Sequence, residues 1–366
     1  MTSATGWTLL AAGTVLLLGA VAGREVAASS VRSDAAFTLP RLLSETGLYA
    51  DPAALVVDAA NRPFAPQYPL WSDGAAKRRW VRLPDGAAID TRDVNHWDFP
   101  VGTRFWKEFA FAGRRVETRM LVKTRVDHWE FASYAWTDDQ RDAVLAPATG
   151  LAEVIEVAPG KWHSVPSRDE CRACHDSTRT EILGFTALQL SDDRDPLAPH
   201  AEAIDARMIT LRTLHAEGRL SPARPDLVAA PPRIAARDPR ERAVLGYLST
   251  NCGSCHHPKS SIASLGLNLQ HGADRLAGCT PGAIATTIGQ PGHWVVPTAP
   301  AGTSQIVHAG RPELSALLYR AGSRRPSSQM PPIGTVVADR EALDLVRAWI
   351  ASMPGPDAGC TPRPRT

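Results

Sequence analysis

Apolar and polar residues alternate along much of the chain between residues 79 and 163. Because successive side chains of a strand point to opposite faces, this alternation predicts strands with one buried face. The runs occur at residues 79–83, 103–109, 115–123, 129–136, 155–157 and 161–163. Ala112 and Gly113 separate two of these runs and predict a hairpin turn. We therefore expect an antiparallel sheet or an open barrel in this part of the chain.

The spacing of apolar residues elsewhere is typical of helices. Predicted helices cover residues 42–48, 201–217, 241–249, 313–319 and 339–352. A segment rich in proline, alanine and arginine at residues 221–237 predicts a linker. The expected fold class is α+β, with an antiparallel β-rich domain at residues 36–220 and an all-α domain at residues 238–366.

Two short motifs of the form Cys-x-x-Cys-His are the strongest chemical signal. The first contains Cys171, Cys174 and His175, and the second contains Cys252, Cys255 and His256. In such a motif two thiols add to the vinyl groups of one haem, and the histidine binds the iron. We therefore expect two covalently bound haem c groups. Zinc bound by the four cysteines and structural thiols are the alternatives, and zinc would leave both histidines without a role.

The N-terminal residues 1–23 contain an apolar run at residues 7–23, followed by no comparable run. The run has the length of a secretory signal, and Ala20-Val21-Ala22 offers a cleavage site, although Lys and Arg are missing before it. An uncleaved inner-membrane anchor is the alternative. Both place the rest of the chain in the periplasm. The net charge of +2 argues against nucleic-acid binding.

Two further cysteines, Cys279 and Cys360, lie outside the motifs. In an oxidising compartment an even remainder favours a disulfide, so we expect Cys279 to pair with Cys360. Two free thiols are the alternative.

Residues 240–353 contain a helix that runs into the second motif and a loop with Met330 before the last helix. This order resembles a class I cytochrome c domain. In that family the first and last helices cross, the motif histidine is the proximal iron ligand, and a loop methionine is the distal ligand. The resemblance implies His256 and Met330 as axial ligands. A thioether is a soft, neutral ligand that favours ferrous iron, and Pro331 and Pro332 stiffen the backbone beside it.

Other residues near the second motif have weaker expectations. Met353 is expected in the core, and His257 is expected to face solvent. The rivals of Met330 for the distal position are His271, His293 and His308.

The stretch from Phe99 to Thr103, residues 117–123 and the aromatic run near Trp136 resemble β-rich cytochromes that include cytochrome c prime beta and the lysine-crosslinked hydroxylamine-oxidising cytochromes. In those proteins the distal haem face is often open. His175 is thus expected as the proximal ligand of the first haem. Lys107 is compared with the crosslinking lysine and interpreted as a surface lysine. The sixth position stays open between a vacancy and Met120, Met208, His163, His200 or His215.

Three signatures spread over most of the chain lie at residues 43–47, 69–75 and 166–168. They are similar to signatures of a family of bacterial dihaem c-type cytochromes, which implies haem c, export and redox work without specifying a substrate. The predicted function is electron transfer with redox partner proteins.

The alternative function is a dihaem redox enzyme, either a peroxidase or an oxidase of small nitrogen compounds, with an open first haem. Its candidate distal acids are the strand carboxylates, which we expect to be solvated instead because unpaired carboxylates are seldom buried. They are Glu108, Glu117, Asp127 and Glu130.

Overall fold

A computed structural model describes residues 1–2, 37–178, 180–273 and 282–354. The apolar run at residues 7–23 and the pair Cys279 and Cys360 lie outside the described residues, so the export signal and the disulfide stay predictions. The described residues from Leu39 onward form one compact unit, which contains both motifs.

Strands are the main regular structure of the described chain up to residue 165, and one short strand follows later. In chain order they are β1 (Tyr49–Asp51), β2 (Val56–Val57), β3 (Arg62–Pro63), β4 (Ala76–Arg82), β5 (Ile89–Asp90), β6 (Arg104–Phe111), β7 (Arg114–Arg125), β8 (His128–Trp136), β9 (Ala143–Leu145), β10 (Leu151–Ala158), β11 (Lys161–Val165) and β12 (Leu220–Ser221).

The main sheet has six antiparallel strands among the described residues, in the order β3-β4-β6-β7-β8-β9. Strands β6 and β7 form the predicted hairpin, and Ala112 and Gly113 make its turn with positive φ. Smaller pairs join β1 to β2, β10 to β11 and, in parallel, β5 to β12. The expectation of an antiparallel sheet is confirmed.

The two faces of the main sheet bury different cores. On one face Trp80, Trp106, Met120 and Ala132 lie opposite one another across four strands. The row next to it, which points to the other face, is Val81, Phe105, Leu121 and Phe131. This second face packs against Phe185 and against the first motif through Cys171. The period of two in the sequence therefore produces two separate hydrophobic cores.

Helices dominate the chain after residue 167. They are α1 (Arg168–His175), α2 (Leu211–Ala216), α3 (Pro225–Ala229), α4 (Pro239–Asn251), α5 (Gly282–Thr287), α6 (Ala316–Gly322) and α7 (Arg340–Ala351), with short 3-10 helices at Leu43–Thr46, Ala263–Leu265 and Pro312–Leu314. The fold is therefore of the α+β class, as expected.

The prediction of one helix over residues 201–217 is wrong for its first ten residues. Only α2 is helical, because Thr210 caps its N-terminus with a side chain that accepts from the amide of Thr213. Upstream, the Asp205 carboxylate accepts from the amide of Arg207. Such local hydrogen bonds compete with helix formation.

Helices α4 and α7 pack against each other, with Val244 and Leu248 facing Val346 and Ile350. Each helix starts at an aspartate, Asp238 or Asp339, whose side chain accepts a backbone amide of the first turn. The indole of Trp349 donates to Glu241 at 3.1 Å and fixes the crossing.

The opposite side of α4 faces the β-rich part. Its Leu245 shares a core with Tyr68, Leu188 and Ile234. Since Ile234 belongs to the segment 221–237 that we expected to be a linker, this segment packs against the rest of the protein. The same segment contains α3. Its first residue, Ser221, is the last residue of β12, which pairs in parallel with β5.

Candidate functional site

Helix α1 carries the first motif. Ser167 and Glu170 form a capping box in which each side chain accepts the backbone amide of the other residue, at 3.1 and 2.8 Å. Cys171, Cys174 and His175 are spaced by three and four residues, which places them on one face of the helix. This face meets the sheet, because the ring of His175 lies 5.1 Å from that of Phe131.

The orientation of His175 is fixed by its backbone surroundings. Its Nδ1 donates to the carbonyl of Glu181, which leaves Nε2 as the acceptor nitrogen. Burial, reinforced by the positive charges of Lys107 and Arg119, lowers the pKa of His175 to about 4. The imidazole is therefore neutral at neutral pH and suited to bind a metal.

The second motif begins at the C-terminal end of α4. One turn is closed by the amide of His256, which donates to the carbonyl of Cys252 at 2.9 Å. Gly253 is required inside this turn, because a Cβ atom there would lie 2.4 Å from the carbonyl oxygen of Ser249. His256 is 7% exposed, and its Nδ1 is buried without a hydrogen-bond partner in the described residues. Burial and the nearby Arg320 lower its pKa.

The two motifs lie directly against each other. The sulfur of Cys174 lies beside that of Cys255, and the interaction between the two thiols lowers the pKa of Cys255 to about 6. Beside this pair, the hydroxyl of Ser177 donates to the carbonyl of Ser254 at 2.6 Å. Residues 77 positions apart in the sequence, Ser177 and Ser254, are thus neighbours, and nothing in the sequence pattern indicated it.

His257 strengthens the same junction. We expected it to face solvent, but it is 5% exposed and its Nε2 donates to the carbonyl of Ser177 at 2.9 Å. The expectation was wrong because the chain at the first motif, which lies far away in the sequence, covers His257.

Met330 lies in the loop between α6 and α7. Its amide donates to the carbonyl of Arg320 at 3.0 Å, and Arg320 is also the cation that acts on His256. The loop of Met330 is therefore tied to a residue that acts electrostatically on His256. Iron ligation by Met330 stays a prediction. Met353 is buried in the core with α4 and α7, as expected.

The other candidate ligands are distributed over the protein. Met120 lies in the core on the sheet face opposite to Cys171. His200 is held by Asp339 at 2.9 Å and Glu341 at 3.5 Å. Buried nitrogens without a partner in the described residues occur in His215, at Nδ1, and His271, at Nε2. Burial lowers the pKa of His271 to about 4.

His163 belongs to a buried charge network that we did not predict. Its Nδ1 lies 2.9 Å from a carboxylate oxygen of Asp73, and its Nε2 lies 3.3 Å from one of Glu117. Burial alone would lower the pKa of His163, but these two hydrogen bonds outweigh it and raise the pKa. Arg119 also pairs with Glu117. Both nitrogens of His163 are thus engaged.

Two of the strand acids that we expected to be solvated are buried. Glu117 is 0% exposed and bonded to Arg119 and His163, and Glu108 pairs with Arg78 at 2.7 Å on the other face. Burial alone would raise the pKa of Glu117, but Arg119 and His163 outweigh it and lower the pKa. Asp127 is exposed, as expected. The available signal was the alternation itself, which places Glu117 on the same face as Phe105 and Phe131.

Lys107, interpreted as a surface lysine, lies on this same face. Burial and the charges of Arg79, Lys77 and Arg119 lower its pKa well below the ordinary value. The register places Arg79 opposite Lys107, and Lys107 opposite Arg119.

Comparison of the chain with protein-family models, with curated proteins and with solved structures found no match. In the part of the chain that the structure describes, no group of three or more His, Cys, Asp or Glu side chains is arranged to hold a metal ion. Across the same ranges, no helix has both the length and the apolar character needed to cross a bilayer.

Proposed function

We propose that the chain is a periplasmic dihaem c-type cytochrome that transfers electrons between redox partner proteins. The observation that supports this best is the contact between the two motifs, where Cys174 meets Cys255 and Ser177 meets Ser254. Groups bound at neighbouring sulfurs share a short path for electrons.

The residues present fit covalently bound haem c. The four motif thiols are free of disulfides. In each motif one turn brings two thiols and an imidazole together, and the unpartnered, buried Nδ1 of His256 and the oriented ring of His175 are suited to axial ligation. When bound, haem c supplies an iron that alternates between the ferrous and ferric states.

The helical part supports a class I cytochrome c domain. Its first helix, α4, crosses its last helix, α7, and the second motif follows α4 directly. Met330 lies in the loop before α7, where Arg320 links it to His256. In this proposal His256 and Met330 hold the second iron, and His175 holds the first.

Haem content tests the proposal. We expect two covalent haems per chain in protein matured by a host that produces c-type cytochromes, measured by intact mass and by the pyridine haemochrome spectrum. The double variant C171A/C174A should keep one haem, and C252A/C255A should keep the other. The matched control C279A/C360A should keep both. A wild-type chain without covalent haem would contradict the proposal.

The methionine ligand has its own test. Met330→Ala should lower one of the two reduction potentials and abolish the sulfur-to-iron charge-transfer band. Met353→Ala is the control, because Met353 is a buried methionine of the same domain that lies in the core. It should cost stability and keep the band. An unchanged band in Met330→Ala would remove Met330 as a ligand.

The second candidate function is a redox enzyme with an open first haem. The buried charges beside the first motif favour it, because Lys107 and Arg119 both act on His175 and Glu117 is buried next to Arg119. Buried ionisable groups with perturbed pKa values cluster at functional sites. Carbon monoxide binding to the reduced first haem would favour this function, and a fully low-spin first haem would favour electron transfer alone.

A further inference from the structure

Three cations lie side by side across the sheet face that meets the first motif. Arg79 on β4 is opposite Lys107 on β6, which is opposite Arg119 on β7. We call these three residues the cation row. Like charges directly opposite each other on neighbouring strands destabilise a sheet. Lys77 adds a fourth positive charge on the same face, two residues from Arg79.

Carboxylates compensate this charge incompletely. Arg79 pairs with Glu202 at 2.7 Å, and Arg119 pairs with Glu117. Among the described residues, no carboxylate lies within salt-bridge distance of Lys77 or Lys107. Four basic side chains therefore lie on this face, and only two of them, Arg79 and Arg119, are paired with a carboxylate.

Arg79 shows where a partner is missing. It is 5% exposed, and its Nη2 is buried without a hydrogen-bond partner in the described part of the chain. A buried guanidinium nitrogen without a partner is costly. The sheet thus holds a donor group that no described protein group satisfies.

The cation row lies beside the first motif. The neighbouring row on the same face contains Phe131, whose ring contacts His175. Equivalent positions two residues apart on a strand are separated by about 7 Å. Lys107 and Arg119 act electrostatically on His175, and Arg119 also acts on Cys171 and Cys174.

We infer that the cation row is an anion site that binds carboxylate or small oxyanion oxygens next to His175. Arg79 supplies the guanidinium nitrogen without a hydrogen-bond partner, and Lys107, whose Nζ lies over the ring of Phe109, supplies an amine that no described carboxylate pairs with. The oxygens come either from the propionates of the first haem or from a free anion of the nitrite or formate type. The site adds a ligand-binding role to the proposed function, and it rests on that function for the haem beside it.

The test uses the holoprotein with two substitutions, Arg79→Met and Lys107→Met. Arg78→Met is the matched control, because it removes the same charge from the same strand on the opposite face. Binding of formate and of nitrite is followed by calorimetry and by the Soret band, and both reduction potentials are measured without added anion.

Two results would support the site and identify the source of the anion. Saturable binding of formate or nitrite to the wild type, weakened about tenfold or more in both variants, would indicate a free anion. Absence of such binding, with one potential lowered in both variants but not in the control, would indicate the propionates. In either case Arg79→Lys and Lys107→Arg should restore part of the effect.

The inference would be overturned if both variants match Arg78→Met in anion binding and in both potentials. Melting curves identify a variant that fails to fold, and the charge-preserving substitutions then decide the question. A wild type without covalent haem contradicts the proposed function instead, so the two failures are distinguishable.

Discussion

Asp73 links β11, through His163, to the loop that precedes α7. One carboxylate oxygen accepts the amides of Val336 and Val337 at 2.7 and 3.0 Å, and the other lies 2.9 Å from His163. The side chain is almost fully buried. A charge in such a place is stable only because every hydrogen bond around it is made.

Substitution of this residue should be costly. Asp73→Asn keeps the shape, but its amide group faces His163 in place of a charged oxygen. We expect a loss of about 1.5–3 kcal/mol in the free energy of unfolding, the range for hydrogen bonds to charged groups. Asp127→Asn, at an exposed turn, is the control and should change it by about 0.5 kcal/mol or less. Denaturant titration measures both, and equal effects would refute this view of Asp73.

His163 should make stability depend on pH. Its pKa is raised in the folded protein above the ordinary value of about 6.5. Its contribution is therefore fully present below about pH 6.5 and is lost as the pH rises through the folded-state pKa. His163→Gln should remove this loss, so the difference in unfolding free energy between wild type and variant should shrink as the pH rises above about 6.5. A constant difference between pH 5 and 9 would argue that His163 is uncharged.

The sequence identified some residues of the site but not others, and the difference has a physical reason. The motif cysteines and histidines are recognised by spacing alone, because one turn of chain sets their geometry. His257 and Asp73 are bonded to residues at least 80 positions away, and Glu117 binds His163, 46 positions away, in addition to its near neighbour Arg119. No local pattern records such partners.

At the scale of elements, α4 is the helix that the rest of the helical part surrounds. Its Val244 and Leu248 face α7, and its Leu245 faces Tyr68. Gly246 allows the closest approach, because a Cβ atom there would lie 2.1 Å from a ring carbon of Tyr68. A helix buried on opposite sides has no clear polar face, which explains why its apolar residues run nearly together in the sequence.

Gly246→Ala should therefore destabilise the protein. Alanine favours a helix by about 1 kcal/mol over glycine, but overpacking against an aromatic ring costs about 1–3 kcal/mol or more. Gly322→Ala is the matched control, since its Cβ would meet only Leu343 at 3.6 Å. We expect a lower melting temperature for the first variant and no decrease for the second. The same melting temperature in both would refute tight packing of Tyr68 on α4.

Elements themselves were largely predictable where the pattern was long. The runs of alternating residues became β4, β6, β7, β8, β10 and β11. The helices predicted over residues 241–249 and 339–352 became α4 and α7, although α4 begins earlier, at Pro239. The segment 201–210 misled the prediction because its apolar spacing fits a helix, whereas its aspartate and threonine side chains satisfy the backbone locally.

At the scale of the whole molecule, the β-rich and helical parts share buried polar contacts. Trp71 donates its amide to Asn251, next to Cys252, and its indole to the carbonyl of Val337. Asp73 and Ser177 add further hydrogen bonds across the same junction. The order of sheet and helices followed from the sequence, but their mutual packing did not, because it depends on contacts between distant residues.

This junction predicts cooperative unfolding. Neither the β-rich part nor the helical part can unfold alone without exposing the core around Tyr68 and Leu245. We therefore expect a single calorimetric transition for the holoprotein rather than two. Trp71→Phe, which removes the indole N–H together with part of the ring, should shift that transition to lower temperature without splitting it. Two well-separated transitions in the wild type would show that the parts unfold independently.

The meeting of Cys174 and Cys255 also constrains the order of events during biogenesis. If the chain is exported and binds haem as proposed, closing this junction early would cover each thiol with the other and make both inaccessible to the ligation machinery. On the proposed function, the vinyl groups must react while the chain is still open. The completed thioethers then become part of the surface on which the two halves close.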